Sequence, residues 1–211
     1  MSNIFKIKTL VSYPRSGQHM TESALRYYCQ LLNIPFSYCE FYNCCQSRPC
    51  KKSPFAFQKS HDFELNDPIN NNDKYVFLYR SNLLQQLESQ FRFHAKHGLK
   101  IHNDTNEKID YTDVTMLEYF EDFVKTNKNY YINMCNKYKN KNRHNVLEVE
   151  YEYYVNNFNE MFRKILSFFD IDINDEYIEK TKIFIKPELV LKIDKSDSYY
   201  SYLENMLQQF N

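Results

Sequence analysis

The stretch IFKIKTLVSYPRSGQHMTESALRYYCQLL, Ile4 to Leu32, decides how the chain is read. From Ile4 to Tyr13, residues Ile4, Phe5, Ile7, Leu10, Val11 and Tyr13 form the apolar run of a buried strand, which Pro14 stops. From His19, residues Met20, Ala24, Leu25, Tyr28, Leu31 and Leu32 recur at helical spacing, and Asn33 with Pro35 closes the segment. The unit is therefore strand, tight loop, helix. Such a loop aims backbone N–H groups and the positive end of the helix dipole at one small volume, which suits a phosphate. Gly17, one of only two glycines, allows the tight backbone, and Arg15 adds a fixed positive charge. An ordinary strand-to-helix turn with a capping Ser reads the same way. The spacing is not that of the G-x4-G-K-[ST] loop.

Outward from this unit the order repeats. Pro35 to Ser53 is irregular and Cys-rich, Pro54 to Lys59 a short strand, and NDPINNND a polar turn. Lys74 to Tyr79 is the clearest strand, and Leu83 to His97 a helix marked by Leu83, Leu84, Leu87, Phe91 and Ala95. Gly98 to Thr112 reads as loop, Val114 to about Lys139 as a long helix, Asn145 to Val149 as a strand and Val155 to Phe169 as a helix. Two further helices are expected at Asp175 to Ile185 and Ser198 to Phe210. Strands alternating with helices predict an α/β fold, a parallel sheet covered on both faces.

Composition bounds the function. The chain has 211 residues, with 27 Lys+Arg against 27 Asp+Glu, and 19 Tyr with 17 Phe to fill a core. That length suits one domain, here a core over 4–171 with a helical extension over 172–211. Charge balance argues against general nucleic-acid binding while leaving room for a local anion site. Runs such as Val76 to Tyr79 are far short of the ~20 apolar residues of a membrane span. The N-terminus lacks the pattern of a secretion signal, so a cytoplasmic setting is expected. Four of six cysteines, Cys39, Cys44, Cys45 and Cys50, follow C-x4-C-C-x4-C, without the C-x2-C pairing of common zinc sites. Free thiols are the expectation in a reducing compartment, with an intramolecular disulfide next. His94, His97 and His102 are explained by one helix face and its loop, without a ligand.

Two more strand ends carry chemistry. Lys59 and His61, in KSHD, project from the same strand edge, toward the anion loop if the two strands are adjacent. Such a pair can neutralise a leaving phosphate and accept a proton. Arg80 ends the Lys74 to Tyr79 strand, and Ser89 lies on the helix that follows. An Arg there can bind a second phosphate, or pair with a surface carboxylate.

Together these residues resemble the sulfotransferase family that uses 3′-phosphoadenosine 5′-phosphosulfate (PAPS) as donor. SYPRSGQH is similar to the family's 5′-phosphosulfate loop, which implies donor contacts from Arg15, Ser16, Gly17, Gln18, His19 and Met20. QKSHDF is similar to the Lys-Thr-His motif of cytosolic members, which implies that Lys59 touches the sulfuryl region and that His61 is the base. YVFLYRSNLLQQLESQFRF, Tyr75 to Phe93, resembles the 3′-phosphate element and implies Arg80 and Ser89 as ligands. The segment Val146 to Ile171 resembles the strand, Tyr-Glu-Asp and helix region, which implies Tyr151 near the adenine.

This chain departs from the pattern in places. Gln18 and His19 stand where Thr-Thr is frequent, and Met20 where a Trp is common. Ser89 is one residue farther from Arg80 than usual, which makes Glu88 an alternative. Nothing after Gly98 is Gly, so the C-terminal Gly-rich segment has no counterpart. The resemblance implies in-line sulfuryl transfer from PAPS to an acceptor hydroxyl or amine, with release of adenosine 3′,5′-bisphosphate (PAP). Arg15 and Lys59 would stabilise the leaving nucleotide, and no metal is required. Asp62 and Glu64, otherwise solvated surface charges, are alternative bases. The acceptor is expected to be a small molecule, carbohydrate or peptide. Other readings are a module that binds PAP or PAPS without turnover, and a P-loop nucleotide or small-molecule kinase. The kinase lacks both a Lys-Ser/Thr after Gly17 and an acidic magnesium ligand at a strand end.

Overall fold

The structure, a computed structural model, describes residues 7–41, 44–45, 47, 50, 57–96, 114–139, 143–187 and 205. Five strands, β1 (Lys8–Ser12), β2 (Tyr38–Cys39), β3 (Phe57–Ser60), β4 (Lys74–Tyr79) and β5 (Val146–Glu150), form one parallel sheet in the order β2-β3-β1-β4-β5. The central strand β1 pairs with β3 on one side, Leu10 opposite Lys59, and with β4 on the other, Leu10 opposite Val76. Chain direction across the sheet reverses at β1, so the crevice for a ligand opens where β1, β3 and β4 end.

Six helices are described: α1 (Gln18–Leu31), α2 (Leu83–Lys96), α3 (Val114–Tyr138), α4 (Tyr151–Asn156), α5 (Phe158–Phe168) and α6 (Asp175–Ile185). Helix α1 ends as the sequence predicts. Asn33 takes a left-handed φ of 55°, and the N–H groups of Asn33 and Ile34 donate to the carbonyls of Gln30 and Cys29, the paired bonds that stop a helix without orphaning its last carbonyls. Asp170 repeats the device after α5.

Two compact units are present, Met1–Tyr79 with Met134–Leu189, and Arg80–Asn133 with Val190–Asn211; α3 contributes to both. The first holds the sheet. On one face Leu10, Phe57, Val76, Leu78 and Val149 pack with Ala24, Leu25 and Tyr28 of α1 and Phe158, Phe162, Ile165 and Leu166 of α5. Each Leu, Ile, Val and Phe among them contributes roughly 1.5–3 kcal/mol by leaving water. On the other face Phe77 stacks on Tyr138, ring centroids 5.2 Å apart. In the second unit Phe91 meets Phe120 and Phe123 edge-on.

Three sequence expectations change. The segment read as irregular contains β2, two residues hydrogen-bonded to the edge of β3 and too short for periodicity to mark. The single helix expected over Val155 to Phe169 is two, starting at Tyr151 and broken at Asn157, whose φ of −122° and ψ of 46° are not helical. Asp62, read as a surface charge, is buried. The helix expected over Ser198 to Phe210 lies outside the described residues apart from Asn205, as do Gly98, His97 and His102.

Candidate active site

The loop between β1 and α1 is built by two left-handed residues. Arg15 has φ 71° and Gly17 has φ 85°, while the Ser16 N–H donates back to the Tyr13 carbonyl at 3.3 Å. This reversal leaves Arg15 exposed, buries Ser16 completely and places Gly17 as the cap of α1. The glycine is required twice over. A Cβ at Gly17 would lie 2.4 Å from Cδ2 and 2.7 Å from Cε2 of Tyr151, so the ring that opens α4 rests directly on the loop backbone.

The other loop side chains divide. Gln18 turns inward, its Nε2 donating to the Leu10 carbonyl at 2.7 Å, so its backbone N–H is what it has for a ligand at the loop. His19 is exposed, and Met20 is half-buried against the core. Tyr13 is fully buried, and burial pushes its phenol far above the ordinary range.

Because β3 lies beside β1, Lys59 and His61 come to the end of the strand that carries the loop. Lys59 Nζ sits 3.3 Å from Glu40 Oε2, just after β2. The His61 Nδ1–H donates to the Ser12 carbonyl at 2.8 Å, and a carbonyl can only accept. In the neutral ring this makes Nε2 the unprotonated nitrogen, the form a general base needs.

Asp62 is held by three donors. Its Oδ2 accepts from Lys137 Nζ at 2.5 Å and from Tyr138 OH at 2.8 Å, while Oδ1 accepts from the Asp67 N–H at 2.9 Å. Lys137 also donates to the carbonyls of Leu65 and Asp67. These bonds clamp the turn after β3, hold Asp62 at φ 45°, and so fix the residue next to His61. Glu64 is exposed and accepts from Asn66.

Arg80 and Ser89 belong to the second unit. Arg80 is buried and its carbonyl accepts from Tyr131 OH. On α2, Ser89 is half-buried and the neighbouring Glu88 buried. His94 packs against Phe123, and burial lowers its pKa.

Structures of known proteins share this architecture. The chain aligns with mouse sulfotransferase SULT7A1 complexed with PAP at TM-score 0.57 and 18% identity, over 93% of this chain and 71% of that one. The chain has the PAPS-dependent sulfotransferase fold. Retinol dehydratase in complex with retinol and PAP aligns at TM-score 0.59 and 15% identity, over 99% of this chain and 80% of that one. The same enzyme with androsterone and inactive cofactor PAP aligns at TM-score 0.57 and 16% identity, covering 85% and 64%. No protein-family model and no curated protein sequence matches the chain. Among the described residues, no helix is long and apolar enough to cross a membrane.

What the sequence missed are the partners: Ser12 for His61, Glu40 for Lys59, and the Lys137–Tyr138 pair for Asp62. Only Glu40 is local enough to be guessed, as an acid flanking a Cys-rich turn near a strand edge.

Proposed function

We propose that the chain is a sulfotransferase, moving the sulfuryl group of PAPS to a hydroxyl or amine of a small-molecule, carbohydrate or peptide acceptor. The observation that carries this reading is the convergence on one sheet edge of the Arg15–Gly17 loop, Lys59 and a His61 whose Nδ1–H is committed to the Ser12 carbonyl. The Gly17 backbone under the Tyr151 ring fits a planar base beside a phosphate-hugging loop. PAPS, when bound, supplies the transferable sulfuryl group and a leaving group whose 5′-phosphate departs as a dianion.

This chain's residues would divide the work as follows. The N–H groups of Gly17, Gln18, His19 and Met20, with the Arg15 guanidinium, bind the 5′ end of the nucleotide, while the Ser16 N–H holds the loop closed on the Tyr13 carbonyl. Lys59 stabilises negative charge as it grows on the leaving oxygen. His61 takes the acceptor's proton at Nε2, and the Ser12 carbonyl steadies the imidazolium that results. Tyr151 faces the adenine. For the 3′-phosphate the sequence resemblance nominates Arg80 and Ser89.

Turnover of labelled PAPS with a panel of sugars, phenols, peptides and amines tests the activity. His61→Ala is expected to abolish transfer while PAP binding persists, and unchanged transfer would remove His61 as the base. A second reading is binding without turnover, favoured by Gln18 and Met20 being turned toward the sheet and core. It predicts PAP binding with no transfer to any acceptor in the panel.

A further inference from the structure

At the end of β2 four cysteines converge. Cys39, Cys44, Cys45 and Cys50 place their sulfurs all within 4.8 Å of one another, with Cys39 to Cys45 and Cys44 to Cys50 each at 3.7 Å. A disulfide holds its sulfurs at about 2.05 Å, so neither pair is bonded. Four thiolates about 2.3 Å from one zinc ion form a tetrahedron whose edges are about 3.8 Å. The two shortest separations match that edge.

The backbone is shaped for the same purpose. Phe41 adopts φ 58°, unfavourable for an aromatic residue, and its N–H hydrogen-bonds the Cys39 sulfur, while its carbonyl accepts from the Cys44 N–H at 3.1 Å. A backbone N–H aimed at a sulfur is the outer support that a metal-bound thiolate needs. In the sequence Arg48, Lys51 and Lys52 flank the last of the four cysteines.

We propose that Cys39, Cys44, Cys45 and Cys50 bind one zinc ion in a closed, four-sulfur structural site. Binding exchanges four S–H bonds for four Zn–S bonds and releases four protons, with no change of oxidation state. Four protein ligands leave no open position, so the ion organises structure and does not join the reaction. What it organises is the sheet edge beside Lys59. Cys39 pairs with Gln58 of β3, Gln58 Nε2 donates to the Ser47 carbonyl at 2.9 Å, and the residue after Cys39 is Glu40, the partner of Lys59. The C-x4-C-C-x4-C spacing hid this, because its ligands come from a wider turn than the common C-x2-C knuckle. The site stands whether or not the chain transfers sulfuryl groups.

The test is metal content of the reduced full chain, purified without chelators, incubated with equimolar zinc and desalted. About one zinc per chain is expected, retained in Cys135→Ser and lost in the Cys44→Ser/Cys50→Ser double variant. Should that variant fail to fold, cobalt(II) substitution of the unaltered protein decides. Intense tetrahedral ligand-field bands with a thiolate charge-transfer band support the site, and a pale octahedral spectrum overturns it. Zinc below about 0.1 per chain, iron bound in its place, or two disulfides that block alkylation until reduced would each overturn it as well.

Discussion

Replacing Gly17 with Ala probes the loop most sharply, because two separate costs are visible there. A side chain at φ 85° costs about 1 kcal/mol for the left-handed backbone. The added methyl would also meet the Tyr151 ring at 2.4 Å, and pushing the ring aside costs about 2 kcal/mol as overpacking. The sum of about 3 kcal/mol corresponds to a Tm drop of about 6 to 12 °C for a chain of this size. In a Tyr151→Ala background only the backbone cost of about 1 kcal/mol should remain, leaving a coupling of about 2 kcal/mol between the sites. Urea unfolding of the four proteins in the cycle measures it. A Gly17→Ala cost that is the same in both backgrounds would refute the contact between ring and loop.

Other outcomes follow from the same geometry. Asp62→Ala strands the Lys137 ammonium among carbonyls and should cost about 3 kcal/mol by urea unfolding, with Lys137→Met in the same background costing much less than alone. His94 is held below its ordinary pKa by burial, so protonating it opposes folding: its contribution is present above the unfolded pKa and is lost as pH falls through the folded value. His94→Phe should therefore flatten the fall in urea midpoint between about pH 7 and about pH 5, and an unchanged slope counts against that assignment. Lys59→Met should lower kcat for sulfuryl transfer by about 100-fold while stability changes by less than about 1 kcal/mol, because its pair with Glu40 is partly exposed.

Much of the fold was legible because its signals are local. Lys74 to Tyr79, a Lys followed by five apolar or aromatic residues, becomes β4 with the expected bounds, and α1 shows both its stripe and its Asn33 stop. Strand β2 escaped because two residues carry no period, and its place is set by the β3 edge it completes. The break at Asn157 escaped because apolar residues on either side keep helical spacing across it. For the candidate site, the places of Arg15, Gly17, Lys59 and His61 at strand ends were readable. Their supports were not: Ser12 is 49 residues from His61 and Lys137 is 75 from Asp62, contacts made by the pairing of β1 with β3 and by the end of α3 meeting the turn after β3. The cysteine cluster shows the same limit, since spacing describes ligands along a chain while a metal reads their separation in space.

Adenosine 3′,5′-bisphosphate is the ligand by which the loop between β1 and α1 stands or falls as a nucleotide site. Added at about 100 times its dissociation constant, PAP should stabilise the folded chain by about 2.7 kcal/mol, a Tm rise of about 5 to 10 °C. ATP with magnesium at the same concentration should give a much smaller shift, and Arg15→Ala should remove most of the response to PAP. No shift at millimolar PAP with the chain folded, or a larger shift with ATP and magnesium, would rule out a PAPS donor site on this chain.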